Sequence, residues 1–529
     1  MSEPTATAIG TPEHLIKTWR GLRDLGPDAV ASLRQQRKLS DSGNADRFAL
    51  DHTGEVVYVP GGGWYHHTSG RWAPDGDGEM MRRARKTAFG IRTEANTLDQ
   101  DAKTKRLTFA GQSENRSRLE AMIDLAKSDP RFVLHSEHLD ADPMLLNVAN
   151  GTVDLRTGEL RDHDPADFLS LQAPVEYDPD AAALRYERFL GEVFGDDDEL
   201  SSYFARAVGY TITGSTEEHV VFLPFGPGAN GKSVAVRALS SALGGYAATA
   251  DVETFLTGRR DGGGPRPDLV RLRGVRAVFT SETTPDRSFD ARLVKAISGG
   301  DPVVCRQLYH EPVQYEPAFA LWVACNHLPG ADGNDEAMWR RLRPIPFAVR
   351  IAKPDRRLGD KLARELPGIL AWAVRGCLAW QAEGLGTCAA VEDATRSYRS
   401  DSSPFEQFVE DRCHIGQGAW VATRDLRRRY ADWATDHGHD DRLTPRRMEA
   451  ALRALGCRPE KQREARGWAG IRLAPHGAPD TTDTKDTNSR ESPARGSMGR
   501  KPQLPSVPSV VSGGRRCGPL AVGANGRAA

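Results

Sequence analysis

Residues 220–243 constrain the fold more than any other stretch of the chain. Val220-Val221-Phe222-Leu223 is an apolar run of the kind that forms a strand buried on both faces. It leads into Gly226-Pro227-Gly228-Ala229-Asn230-Gly231-Lys232-Ser233, and Val234 to Leu243 then reads as a helix. A G-x-x-x-x-G-K-S segment between a strand and a helix is the arrangement of a phosphate-binding loop. Its glycines let successive backbone N–H groups curl round phosphate oxygens. The helix that follows turns its positive end toward them. Lys232 would add a point charge at the β- and γ-phosphates of ATP, and Ser233 can ligate Mg2+. The whole loop, Gly226, Pro227, Gly228, Ala229, Asn230, Gly231, Lys232 and Ser233, is therefore the candidate nucleotide-binding segment.

Such a loop could serve a kinase, a GTPase or a motor, and the chain downstream bears on the choice. The segment from about 215 to 350 alternates strand and helix, which predicts an α/β core with a largely parallel sheet. Val275 to Thr280 reads as a second buried strand and ends at Ser281-Glu282. A carboxylate at the end of a strand beside the loop can orient the attacking water and help hold Mg2+. Ser281 stands where an Asp often precedes that carboxylate. The water chemistry then falls to Glu282, and metal binding rests more on Ser233. Phe319 to Cys325 is a third apolar strand and ends at Asn326, whose amide can sense a γ-phosphate. Further on, Arg340 and Arg341 are candidates for an arginine reaching a neighbouring subunit's nucleotide. The candidate catalytic set is Lys232, Glu282, Asn326, Arg341 and Arg340, with Ser233 and Glu282 at the metal.

Between the second and third strands, Val303–Leu308 and Pro312–Tyr315 predict a hairpin with Tyr309-His310-Glu311 at its tip. Charge meets phosphate and rings meet bases, so Arg306, Tyr309 and His310 are candidates for binding single-stranded DNA, with Lys295 on the preceding helix. Each residue also has an ordinary reading: a strand-ending Asn, a solvated Arg pair, a plain hairpin.

The 529 residues suggest three or four domains. The net charge of −1 means that any surface for nucleic acid must be local. No apolar run reaches membrane length and no secretory pattern opens the chain, so a soluble, cytoplasmic protein is expected. The seven Cys show no C-x-x-C pair and read as reduced thiols, without a zinc site. Residues 1–38 look helical. Residues 39–214 read as an α+β domain, with strand candidates at Val56–Val59 and Gly63–His67 and a hairpin from Leu145 to Leu160. Residues 79–138 are helix-rich. The ATPase domain spans 215–385, and a linker of small and charged residues follows at about 386–402. Residues 403–474 predict helix, helix and wing, with Arg424, Arg427, Arg428 and Arg429 on one helix and Thr444-Pro445 starting another. That arginine density suggests DNA phosphate contacts, or a surface that binds the protein's own core. Residues 475–529 have too few large apolar residues to offset their ordering entropy and read as disordered.

Taken together, G-P-G-A-N-G-K-S at 226–233, V-F-T-S-E at 278–282, I-S-G-G-D-P-V-V-C-R-Q-L-Y at 297–309, A-C-N-H-L-P at 324–329 and W-R-R-L-R-P-I-P-F at 339–347 resemble the superfamily 3 helicases. More narrowly, the chain resembles the phage and plasmid primase–helicase family, related to the poxvirus primase–helicase. G-N-A-D-R-F at 43–48, W-Y-H-H-T-S-G-R-W at 64–72 and L-L-N-V-A-N-G-T-V-D-L at 145–155 look like the domain that precedes such a core. The resemblance implies an AAA+-like P-loop NTPase core, ATP and Mg2+ as cofactors, and a ring, usually a hexamer. It also implies 3′-to-5′ translocation on single-stranded DNA in phage or plasmid replication. A separate primase or origin-binding protein is an expected partner, and no membrane is. Asp140-Ala141-Asp142 reads as a turn rather than a primase metal site, so primer synthesis by this chain alone is not expected. The competing reading is a non-unwinding initiator that uses ATP only to assemble.

Overall fold

The computed structural model describes residues 8–257, 266–280, 287–306, 313–331, 335–402, 404–437, 444–462 and 465–474. Glu282, Tyr309, His310 and the 475–529 tail lie outside these described residues.

Five strands, β1 (Val221–Phe225), β2 (Ala247–Ala250), β3 (Ala277–Thr280), β4 (Ala320–Val323) and β5 (Leu342–Pro346), form one sheet in the order β5-β1-β4-β3-β2. Every pairing is parallel. Strand side chains alternate between faces, and both faces here are covered. Phe222, Phe279, Trp322 and Ile345 enter one core. Val221, Leu223, Val278, Leu321, Val323 and Leu342 enter the other. This is why these strands are spelled as unbroken apolar runs. Pro344 and Pro346 have no backbone N–H, so β5 can only be an edge strand, and it pairs with β1 alone.

Helices α1 (Asp198–Thr213), α2 (Lys232–Leu243), α3 (Ala291–Gly299), α4 (Leu366–Glu383) and α5 (Ala389–Asp401) surround the sheet. On the first face, Phe222 and Trp322 pack with ring centroids 4.4 Å apart, and Trp322 Nε1 donates to Thr211 Oγ1 on α1 at 3.0 Å. On the second face, Val294 and Ile297 of α3 join Trp339 and Tyr398. Helix α5 occupies the stretch expected to be a linker. Its small and charged residues hide two anchors, Val391 and Tyr398, both buried. The Tyr398 hydroxyl bonds the Pro329 carbonyl, and its ring packs against Trp339 at 5.0 Å.

Upstream, Val56–Val59, Gly63–Thr68 and Arg71–Pro74 form an antiparallel meander. Leu145–Val148 and Gly151–Asp154 form the expected hairpin, extended by Glu159–Arg161. That hairpin shares a core with α1, α4 and the sheet, through Leu146, Val148, Val153 and Leu155. Buried Arg276, at the start of β3, ties the pieces together. Its Nη1 donates to Ile212 O at 2.8 Å and its Nη2 to Leu145 O at 2.6 Å.

Past α5, the helix Pro404–Arg412 leads to the strand Cys413–Ala422. Helices Thr423–Asp436 and Pro445–Ala454 follow, then a hairpin of Arg458–Gln462 and Ala465–Leu473. The last strand lies in the middle of this three-stranded sheet. Phe405, Phe408, Leu426, Tyr430, Trp433, Leu452, Trp468 and Ile471 fill its core. Among the described residues, no helix is long and apolar enough to cross a membrane.

Candidate active site

Strand order reverses at β1, whose neighbours β4 and β5 are both later in the chain. Open parallel sheets leave a crevice beyond the carboxyl ends of their strands at such a reversal. The 226–233 loop sits there. Gly226 has φ +145°, and a Cβ on it would stand 2.4 Å from Phe347 O. Gly231, with φ +87°, is the residue before α2, and a Cβ there would meet Val193 at 2.6 Å. Both positions therefore require glycine. Asn230 is buried and pins the loop to the end of β5, donating from Nδ2 to Phe347 O at 2.7 Å.

Lys232 opens α2 and is 5% exposed. Its Nζ donates to Gly226 O at 2.7 Å, to Asn230 Oδ1 at 3.0 Å and to Asn326 Oδ1 at 3.0 Å. The ammonium is held by neutral oxygens from the loop and from the end of β4. Asn326 thus belongs to the same cluster as the lysine. Ser233 is exposed at the second position of α2. Next to Asn326, burial pushes the Cys325 thiol up to about 12, which suits a packing residue and not a nucleophile. The six described cysteines are all free and buried.

One expectation about the layout is corrected. The strand leading to Ser281-Glu282 is not beside the loop strand, because β4 lies between β3 and β1. Among the described residues, Asn326 at the end of β4 is the strand-end side chain that meets Lys232. Glu282 itself lies outside the described residues. Thr280, the last residue of β3, is buried with its hydroxyl unpartnered.

The two candidate arginines differ in setting. Arg341 folds back onto its own chain, donating from Nε to Ser298 Oγ at 3.0 Å and from Nη1 to Ala337 O at 2.8 Å. Arg340 is exposed, and its side chain makes no hydrogen bond or ion pair among the described residues. Lys295 is paired with Asp335, Nζ to Oδ2 at 2.6 Å. It braces the Arg340–Arg341 segment. The expected hairpin is present at its base, where Val303–Cys305 pairs antiparallel with Val313–Tyr315. Arg306 leaves it exposed, and Tyr309 and His310 fall outside the described residues.

The upstream motifs have structural partners. In G-N-A-D-R-F, Asn44 Nδ2 donates to Ser113 Oγ at 2.9 Å, and fully buried Arg47 donates from Nε to Glu94 Oε1 at 2.9 Å. The Asp140 carboxylate takes the Ser170 N–H at 2.8 Å, and Asp142 pairs with Arg156 at 2.9 Å. Both carboxylates are engaged in turns. No group of three or more His, Cys, Asp or Glu placed to hold a metal occurs among the described residues. His66 and His67 are half-buried.

Comparisons with known proteins agree with the class that the motifs suggested. Residues 45–195 match the family model described as D5 N terminal like, the N-terminal part of a primase–helicase family. That match lies upstream of the 226–233 loop. The protein named "Putative helicase L207/L206" of Acanthamoeba polyphaga mimivirus is 26% identical over 306 residues, covering 54% of this chain and 32% of that protein. "Putative helicase 022R" of Frog virus 3 (isolate Goorha) is 28% identical over 382 residues, covering 56% and 39%. The chain thus spans only about a third of the length of these curated relatives. The C-terminal region of NrS-1, solved in its apo form, covers 56% of this chain and 77% of that one at 10% identity, with a TM-score of 0.38.

Proposed function

We propose that the chain is an ATP-hydrolysing DNA helicase subunit that assembles into a ring and translocates on single-stranded DNA during replication. One observation carries the reading. A glycine-framed loop at the reversal point of a parallel sheet ends in a buried lysine, and that lysine's Nζ is shared with Asn326 at the end of the adjacent strand. The residues fit a nucleotide, since no side chain can occupy the turn at Gly226 or Gly231. Lys232 and the loop N–H groups would hold the phosphates of ATP, with Ser233 and Glu282 toward Mg2+. The bound metal would neutralise charge on the transferring phosphoryl group. Phosphate oxygens would meet Nζ where the loop and Asn326 oxygens now do, and the Asn326 amide would then register the γ-phosphate. The exposure of Arg340 supports it as the arginine that would reach a neighbouring subunit. Exposed Arg306, at the base of the hairpin, would meet a DNA strand, and Tyr309 and His310, outside the described residues, are the further candidates there.

The helix–strand–helix–helix–hairpin order of residues 404–473 supports reading this region as winged-helix-like. Exposed Arg424, Arg427 and Arg428 give it a basic helix face for DNA phosphates.

The reading is tested by measuring ATP turnover with and without single-stranded DNA, and unwinding of forked duplexes bearing each tail polarity. Stimulated turnover with unwinding is expected. Stimulation without unwinding, or nucleotide-dependent assembly alone, would favour the initiator reading. For the arginine, Arg340→Ala subunits mixed with Glu282→Gln subunits should regain part of the lost turnover, because each supplies what the other lacks. Arg341→Ala should instead lower the thermal midpoint by loosening the α3 contact. Verified mixed rings that stay inactive would rule Arg340 out as a trans-acting residue.

A further inference from the structure

The 226–233 loop and the Arg340–Arg341 pair meet opposite ends of one strand. β5 starts directly after Arg341 and ends directly before Phe347. It runs parallel to β1, from Leu342 beside Val221 to Pro346 beside Phe225. At one end the Val221 N–H donates to Arg341 O at 2.8 Å, and at the other the Phe347 N–H donates to Phe225 O at 2.8 Å. As the edge of the sheet, β5 is held by a single ladder. Pro344 and Pro346 fix φ at two of its five residues and stiffen it. A stiff element held along one side carries a shift at one end to the other.

The loop end of β5 is also tied by a side chain. Asn230 is 2% exposed, and its amide faces two ways. Nδ2 donates to Phe347 O at 2.7 Å, and Oδ1 accepts from Lys232 Nζ at 3.0 Å. Asn230 thus joins the end of β5 to the ammonium group that would meet the phosphates. Beside it, Ala229 O accepts from the Ile351 N–H at 3.1 Å, a second tie between the loop and the segment after β5. Ala229 is held at φ +64°, a left-handed conformation unfavourable for an alanine. Backbone strain of this kind collects at ligand clamps and switches. At the far end, the Arg340 N–H donates to Glu336 O at 3.1 Å and the Arg341 N–H to Met338 O at 2.8 Å. Both arginines therefore sit in a turn that opens directly into the strand.

We infer that Asn230 is a positioning residue that reports the state of Lys232 to β5, and that β5 carries it to Arg340. ATP held by one subunit is thereby coupled to the contact that its arginine makes with the next. The inference rests on the nucleotide-binding and ring reading given above. Phosphate at Nζ competes with Asn230 Oδ1, and a turn of that amide moves Phe347 O with it.

Coupling of this kind is reciprocal: assembly should tighten ATP binding by the factor with which ATP favours assembly, typically about 5–150-fold. ATP is titrated calorimetrically into the full chain carrying Glu282→Gln, which suppresses turnover, below and above the concentration at which it assembles. Asn230→Asp in that chain keeps the size of the side chain and an acceptor for Lys232, but it sets an oxygen against Phe347 O in place of the donor. It should still bind ATP, with the two affinities agreeing within about twofold. Hydrogen exchange supplies a second measurement on the parent, at a concentration too low for assembly. ATP should slow the Arg340 and Arg341 amides more than the Ala320 amide, which bonds Arg276 O at the amino end of β4. This result decides the matter if Asn230→Asp does not fold or no longer binds ATP. An Asn230→Asp chain that keeps the parent's gain, a parent that assembles without any gain, or equal slowing at Arg340 and Ala320 would overturn the relay and leave the nucleotide site standing. A parent that binds no ATP, or never assembles, would overturn the relay together with the reading it rests on.

Discussion

Replacing Lys232 with alanine is expected to abolish DNA-stimulated ATP turnover, lowering it by at least about 10²–10³-fold. That is the usual scale for removing one preorganised donor from a developing charge. Three features make the residue decisive. It is buried at the start of α2, so water cannot take its place. Its Nζ lies within 3.0 Å of oxygens from both the loop and Asn326, so the loss also disconnects β1 from β4 at the site. The loop around it is fixed by Asn230 against Phe347 O, so no other cation can swing in. The measurement separates binding from chemistry. ATP should raise the thermal midpoint of the parent chain, because a ligand that binds only the folded state stabilises it. That rise should vanish in Lys232→Ala. Ser233→Ala, exposed and not part of the lysine cluster, should keep some nucleotide affinity while requiring more Mg2+ for turnover. Lys232→Ala protein that turns over ATP at the parent rate would refute the assignment of this loop as the nucleotide site.

The reach of sequence reading here has a physical explanation. Parallel strands buried on both faces must be apolar throughout, so β1, β3 and β4 were legible as runs, and the glycine pattern marked the turn between β1 and α2. The order of the strands was not legible. Pairing is set by how the crossover segments pack, and nothing in Val275–Thr280 says that β4 will come between it and β1. Pro344 and Pro346 did carry a usable signal, since a strand without two of its donors belongs at an edge. Helix α5 was hidden for a different reason. Two buried side chains, Val391 and Tyr398, hold a helix whose other residues have the composition of a linker. The arginine pair was visible as a pair, but only the fold distinguishes Arg341, turned inward to Ser298, from Arg340 in solvent.

The same limit applies to the cluster at Glu94, which leads to the second large expected effect. Removing its carboxylate as Glu94→Ala should destabilise the chain by about 3–5 kcal/mol, the cost of leaving buried charge without its partner. Here the remaining charge is that of Arg34, Arg47 and Arg106 together, and Arg47 is fully buried. Arg47→Met should cost less, because Glu94 keeps Arg106 and Arg34 as neighbours and the methionine fills the space. Arg116→Ala provides the contrast. Its bridge to Glu120 is solvent-exposed, with the Arg side chain 87% accessible, and its removal should leave stability essentially unchanged. Urea unfolding of the three variants gives the comparison directly. A Glu94→Ala protein within about 1 kcal/mol of the parent would mean that water already screens the cluster. A sharper check uses the guanidinium groups that Glu94→Ala leaves behind: phosphate should restore part of the lost stability at concentrations where chloride at equal ionic strength does not, because a multivalent oxyanion can bridge guanidinium groups and chloride cannot.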